Sequence, residues 1–235
     1  MSYNSQVAIF PLSRWNVSWF YYLASLVVRT WLRLFTRWQV KGRENIPSQG
    51  PLLVVANHLN LADAPLVGVS LTRKAIFMAK EELFRSRFSS YFISGFGAFP
   101  VRRGQLDRKA LRQAERVLAE GLALVMFPEA TRSQHAQLQL AFPGSALIAR
   151  RSGAAILPVG ITGTERLKGA GWLLGRPRIT VNIGYPFHLP PVNGKLSKTK
   201  LAESTNYIME HIAELLPIEY RGNYAEQGKL NGPQG

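Results

Sequence analysis

Two short polar runs carry side chains that could do chemistry together. In the first, Asn57-His58 precedes Asp63 by a few positions; in the second, Glu129-Ala130-Thr131-Arg132-Ser133 follows an apolar stretch and Pro128. An imidazole is the side chain best suited to take a proton near neutral pH, and a carboxylate that accepts its Nδ1 proton fixes the tautomer and leaves Nε2 as a base. His58 and Asp63 are five residues apart, which on a continuous helix rotates them by about 140° from one another. A dyad therefore requires a bend between them. Without one, Asp63 caps the helix before Pro65 while His58 satisfies a local hydrogen bond.

The second run suits a phosphate ester. Arg132 can grip phosphate through two N–H groups, Thr131 or Ser133 can donate to its oxygens, and Glu129 can hold a hydroxyl or fix the arginine. The alternative is a capped turn with a structural Glu-Arg pair. A third run, residues 97–104, brings Arg102 and Arg103 to the end of an apolar stretch between Gly97 and Gly104; a solvated arginine pair is its plainer meaning. The chain has no GxSxG elbow, no phosphate-binding Walker loop and no HExxH, and its four histidines lack paired metal spacing. The absence of cysteine removes thiol nucleophiles, zinc ribbons, CxxC redox pairs and iron–sulfur clusters.

These clusters need elements to position them, and the hydrophobic pattern supplies an alternating series. Residues 52–56, 75–79, 97–101, 122–127 and 155–159 are apolar runs of strand length, and 179–184 adds a late strand. Between them, 64–71, 81–93, 107–120 and 145–151 have helical patterns, and 198–216 forms a last helix closed by Pro217. Strand and helix in alternation predict an α/β fold: a mixed, largely parallel sheet flanked by helices. The polar clusters follow three of the strands, at the ends where open α/β sheets build sites. No internal repeat or long linker divides the chain. The pattern predicts an N-terminal helical segment over 1–39, one domain over 40–218 and a flexible polar tail over 219–235.

The chain has 235 residues, 29 Lys plus Arg against 14 Asp plus Glu and a net charge of +15, so its surface should attract phosphate-bearing partners. The excess is regional: residues 71–116 carry eleven Lys and Arg against four acids. No aromatic RNP motif, zinc finger or heptad array accompanies it, so nucleic acid is not the expected partner. Residues 15–28 are free of charge but too few for a membrane span of about 20 residues. Arg29, Arg33 and Arg37 then follow on one predicted helical stripe, while Trp31, Leu32, Leu34, Phe35 and Trp38 fall mostly elsewhere around the helix. A basic, aromatic, amphipathic helix of this kind lies in the headgroup layer of an anionic membrane. Residues 171–175, ringed by Lys168, Arg176 and Arg178, offer a second apolar tip.

Taken in order, the clusters resemble the four-block signature of the glycerolipid acyltransferases, the lysophosphatidic acid (1-acyl-sn-glycerol-3-phosphate) acyltransferase family. Asn57, His58 and Asp63 match its NHx4D block. Gly97 to Arg103 looks like the second block, Phe127 to Ser133 like FPEGTRS, and Ile156-Leu157-Pro158-Val159 like the apolar fourth block with its central proline. The resemblance covers about residues 40–190. Ala130 stands where Gly is usual, Pro100 where Phe is common, and Phe142 where many relatives carry Lys.

The resemblance implies a glycerol-3-phosphate acyltransferase-like fold. It also implies transfer of a fatty acyl group from a thioester to the free hydroxyl of a lysophospholipid, 1-acyl-sn-glycerol-3-phosphate above all, to give phosphatidic acid. His58 and Asp63 would be catalytic. Asn57, Gly97, Arg103, Glu129, Thr131, Arg132 and Pro158 would form the substrate site. No metal or cofactor is implied; acyl-CoA or acyl carrier protein enters as a substrate, at the cytoplasmic face of a membrane that the protein touches from one side. The alternatives are a different lysolipid or hydroxylated lipid as acceptor, a hydrolase that uses water, and a basic membrane- or nucleic-acid-binding module in which the motifs are structural.

Overall fold

Strand β2 (Leu52–Ala56) is buried at every position, and β5 (Ala123–Met126) at all but its last. Such runs lack polar alternation because helices cover both faces of the sheet they enter. The computed structural model describes residues 19–102, 107–169, 171–192, 194 and 196–225. Their elements follow the order α1 (Trp19–Phe35), β1 (Arg37–Lys41), β2, α2 (Asp63–Ser70), β3 (Ala75–Lys80), α3 (Arg87–Gly95), β4 (Ala98–Val101), α4 (Arg108–Ala119), β5, α5 (Gly144–Ser152), β6 (Ala155–Thr162), α6 (Trp172–Gly175), β7 (Arg178–Ile183) and α7 (Lys198–Glu214). The seven strands form one sheet in the order β1-β7-β6-β2-β5-β3-β4. All neighbouring strands run parallel except β6 and β7, so the sheet is mixed and largely parallel.

The core has two layers. On one face, Leu32 of α1 and Leu66 and Val67 of α2 pack on Val54, Phe77 and Leu157. On the other, Leu111 and Val117 of α4, Ile148 of α5 and Ile208 of α7 pack on Leu53 and Leu124. Edge strand β4 tolerates Pro100, which has no N–H to give a further neighbour. Pro158 is tolerated inside the sheet for a related reason. Its carbonyl accepts from Gly184 N–H, just past the end of β7, so its missing N–H faces that strand end and the pairing with β2 is left intact.

Three stretches depart from the sequence pattern. Helix α1 stops at Phe35: the Thr36 hydroxyl donates to Leu32 O at 2.6 Å, and Arg37–Lys41 becomes an edge strand of alternating exposure paired with β7. Arg37 therefore leaves the predicted helical stripe, which keeps Arg29 and Arg33, and β1 straddles the boundary expected at residue 39. The single helix expected over 81–93 is a 3-10 turn, Glu81–Phe84, followed by α3. The break is at Ser86, which is extended (φ −80, ψ 133). Residues 219–225 do not fray. Tyr220 donates its hydroxyl to Glu165 at 2.9 Å and accepts Leu138 N–H through its carbonyl at 2.8 Å, and Tyr224 is buried, so aromatic packing extends the ordered domain past 218.

Candidate active site

Strands β2 and β5 are parallel neighbours, with Val54 opposite Val125, so the segments leaving their C-terminal ends emerge side by side. His58 lies two residues beyond β2 and Glu129 three beyond β5. The bend that a His-Asp dyad requires is present. The chain turns through 58–62, and Asp63 opens α2 with its carboxylate directed back at that turn. Asp63 Oδ2 accepts from Leu59 N–H at 2.6 Å and Asn60 N–H at 2.7 Å, and lies 2.9 Å from His58 Nδ1. An oxygen already receiving two backbone donors is an acceptor toward the ring, so Nδ1 carries the proton and Nε2 is left to take one. Asn60 tightens the turn by accepting Ala62 N–H at 3.1 Å. Both members of the dyad are buried, and Phe127 stacks on the imidazole with centroids 4.2 Å apart.

The segment after β5 holds the backbone of His58 from both sides. Glu129 Oε1 accepts His58 N–H at 3.0 Å, and Ser133 N–H donates to His58 O at 2.8 Å. The second oxygen of Glu129 accepts Gln139 N–H at 2.9 Å. With 1% of its surface exposed and both oxygens occupied, Glu129 is a clamp between the two motifs. It makes no ion pair with Arg132. Burial pushes its carboxyl up to about 7, with the Asp63 charge adding and the two N–H donors pulling the other way. Thr131 and Arg132 are exposed, and Arg132 makes no ion pair among the described residues. Ala130, where the turn reverses, has φ +56, the left-handed conformation in which glycine is free of strain.

The remaining expected site residues are dispersed. Asn57 spans to β6, donating to Ile161 O at 2.9 Å and accepting Ile161 N–H at 2.7 Å; this bidentate tie fixes the register of the segment that carries His58. Gly97 enters β4 at φ +87, where a Cβ would come within 3.2 Å of Ala75 O, at the end of that strand away from His58. Pro158 pairs with Val55, three residues short of His58 along the sheet. Arg103 lies outside the described residues. Its neighbour Arg102 pairs with Glu81 at 2.8 Å and donates its backbone N–H to Asp107. The contributions of Ile161 and Gln139 are made by backbone groups, which no residue type announces; Phe127 was visible as the aromatic residue opening the second motif.

Two cavities lie on either side of Phe127, the ring stacked on His58. One, of about 370 Å³, is lined by His58 and Phe127 together with Val28 of α1, Pro65 of α2 and Phe92 and Phe96 of α3 or its C-cap. The other, of about 300 Å³, lies on the α4–α5 side, against Leu111, Ile148, Arg102 and Phe142. Phe127 and Met78 line both. A proton acceptor in the wall of an apolar chamber can activate a hydroxyl on a molecule that is largely hydrocarbon.

The sequence matches the family model described as Acyltransferase over residues 37–162. The chain belongs to the acyltransferase family. The matched span contains the dyad, the Glu129 clamp and Asn57 with its partner Ile161, and the enzyme expectation rests on this membership. Among relatives, the chain is 32% identical over 180 residues to the 1-acyl-sn-glycerol-3-phosphate acyltransferase of Streptococcus pneumoniae, covering 73% of this chain and 63% of that one. It is 28% identical over 179 residues to the enzyme of the same name from Bacillus subtilis, covering 75% and 87%. The crystal structure of the 1-acyl-sn-glycerophosphate acyltransferase PlsC from Thermotoga maritima superposes with a TM-score of 0.59 at 26% identity, covering 87% of this chain and 84% of that one. The acyltransferase fold is therefore common to both.

Proposed function

We propose that this acyltransferase moves a fatty acyl group from an acyl thioester to the free hydroxyl of 1-acyl-sn-glycerol-3-phosphate, giving phosphatidic acid. The observation that carries the proposal is the 2.9 Å contact of His58 Nδ1 with Asp63 in the wall of the 370 Å³ apolar cavity; the names of the relatives supply the acceptor. His58 Nε2 takes the hydroxyl proton as that oxygen attacks the thioester carbonyl. The C–O bond forms, the C–S bond breaks, and the departing thiolate takes the proton from the imidazolium that Asp63 stabilises. No acyl-enzyme, metal or prosthetic group takes part. Arg132 and Thr131, exposed at the turn after Glu129, hold the phosphate so that the hydroxyl meets the base, and Arg103 shares that role. Such positioning can supply several kcal/mol of the barrier reduction.

The substrate's hydrocarbon implies a membrane, and α1 supplies a surface for it. Among the described residues no helix is long and apolar enough to cross a bilayer. Trp19, Tyr22, Leu23, Leu26, Val27 and Leu34 of α1 are exposed nevertheless. Trp31 meets Trp172 of α6 edge to face at 5.0 Å, and Leu174 at that tip is 93% exposed. The two apolar surfaces expected separately are thus adjacent, and one leaflet can take both. The experiment that tests the function is turnover of a fatty acyl thioester by the purified protein against a panel of lysolipids, read by mass spectrometry. Diacyl phosphate product supports the proposal, whereas free fatty acid as the main product would mark a hydrolase.

A further inference from the structure

Helix α4 is amphipathic with an unusual polar side. It buries Ala110, Leu111, Ala114, Val117 and Leu118 and exposes Arg108, Lys109, Arg112 and Arg116. At about 100° per residue, the four cations fall within an arc of roughly 100° opposite the buried stripe. None makes an ion pair among the described residues. The nearby acids are engaged or displaced: Glu115 pairs with Arg151 at 3.0 Å, Asp107 caps the helix by accepting Lys109 and Ala110 N–H, and Glu120 lies past its end. Like charges at i, i+4 destabilise a helix, and Arg108, Arg112 and Arg116 repeat that spacing, so an anionic partner would relieve a repulsion the free protein carries.

The position of this face limits what the partner is. Helix α4 packs on the opposite side of the sheet from α1, so a leaflet that receives the apolar face of α1 does not reach it. Asp107, Ala110 and Leu111 of α4 and its cap form part of the wall of the 300 Å³ cavity, and Phe127, the ring stacked on His58, forms another part. A donor delivered to α4 thus meets a cavity whose wall includes the ring stacked on the base, on the side of the sheet away from α1. The stripe from Arg108 to Arg116 is about 12 Å long, a spacing that matches carboxylates along a partner helix better than one compact phosphate cluster.

We propose that the exposed face of α4 docks an acidic protein that carries the acyl donor as a thioester, with the carrier's flexible arm entering the cavity between α4 and Phe127. The cargo rests on the function proposed above; the docking rests on charge and geometry.

The test compares the full chain with its Arg112→Glu/Arg116→Glu variant, both positions being solvent-exposed. The first readout is calorimetric binding of an acyl carrier protein that lacks its prosthetic arm. The second is KM for carrier-protein and CoA thioesters of the same fatty acid. The wild type should bind the armless carrier more weakly as salt rises. The variant should bind it about 10- to 100-fold more weakly, with a similar rise in KM for the carrier thioester and a change of less than about twofold for the CoA thioester. No binding by the wild type overturns the proposal, as does an equal loss with both donors, which would mark a site for nucleotide phosphates. A variant that loses flotation on anionic vesicles instead would assign α4 to a leaflet and overturn it too. Turnover of neither thioester by the wild type would remove the proposed function, while binding of the armless carrier would still decide the docking.

Discussion

Glu129 accepts two backbone N–H groups at 3.0 and 2.9 Å and makes no ion pair among the described residues. Burial and the neighbouring Asp63 raise its carboxyl from an ordinary 4.5 to about 7. An acid whose folded value lies above its unfolded one contributes stability that is full below the unfolded value and is lost as pH rises through the folded one. For Glu129 the window runs from about pH 4.5 to just above 7 and is worth about 3 kcal/mol. Glu129→Gln does not titrate, so urea unfolding at pH 4.5 and pH 8 should show the wild type losing about 3 kcal/mol more than the variant; parallel profiles would contradict this. The glutamine NH2 also faces a backbone N–H where a carboxylate oxygen had accepted it, loosening the hold on His58, so kcat should fall about tenfold with KM little changed. Arg132 is exposed and free of ion pairs among the described residues. Arg132→Ala should raise KM for a phosphorylated acceptor by about tenfold or more and leave KM for the thioester nearly unchanged. Equal effects on both substrates would place the phosphate elsewhere. The contact of His58 with Asp63 was legible because it is made by the side chains themselves. The clamp made by Glu129 was not legible because its partners are backbone groups of His58 and Gln139, which no spacing rule reveals.

At the scale of elements, strands buried on both faces were the most legible: β2, β3 and β5 stand close to the apolar runs that suggested them. Strand β1 was hidden because Arg37, Gln39 and Lys41 alternate on the exposed side of an edge strand, a pattern that merges with the basic helix before it. The buried face of α1, Tyr21, Ser25 and Leu32, holds it to the domain, while Tyr22, Leu23, Leu26 and Val27 on its outer face are left exposed among the described residues. A Leu23→Ser/Leu26→Ser variant should therefore fold normally, since both side chains are exposed in the wild type. Removing two leucines from a headgroup-layer contact costs about 3 kcal/mol or more of transfer free energy, so the variant should float with liposomes at least about tenfold less. Undiminished flotation of a folded variant would remove α1 from the membrane contact.

Over the whole molecule, a largely parallel sheet separates two surfaces of different character: the apolar α1–α6 side and the basic α4 side. The sheet also brings the dyad and its clamp together, since β2 and β5 are far apart in sequence and adjacent in space. The alternating pattern made that convergence foreseeable, whereas the strand order that makes these two strands neighbours is set by packing that no single segment encodes. A net charge of +15 adds a long-range attraction to anionic lipid of roughly 1 kcal/mol per cation near the surface. Flotation should be stronger with anionic than with neutral vesicles and should be partly reversed by salt; salt-insensitive binding to both would show that apolar contact alone holds the protein. The central claim is that His58, oriented by Asp63, is the base that activates the acceptor hydroxyl. It is tested most directly by acyl transfer from thioester to lysophosphatidic acid in purified, folded wild-type, His58→Ala and Asp63→Asn proteins with vesicle binding measured alongside. The dyad predicts that His58→Ala lowers turnover by about 10²- to 10⁴-fold and that Asp63→Asn impairs it as well, while vesicle binding is retained. Wild-type-like turnover by a folded His58→Ala protein would contradict it.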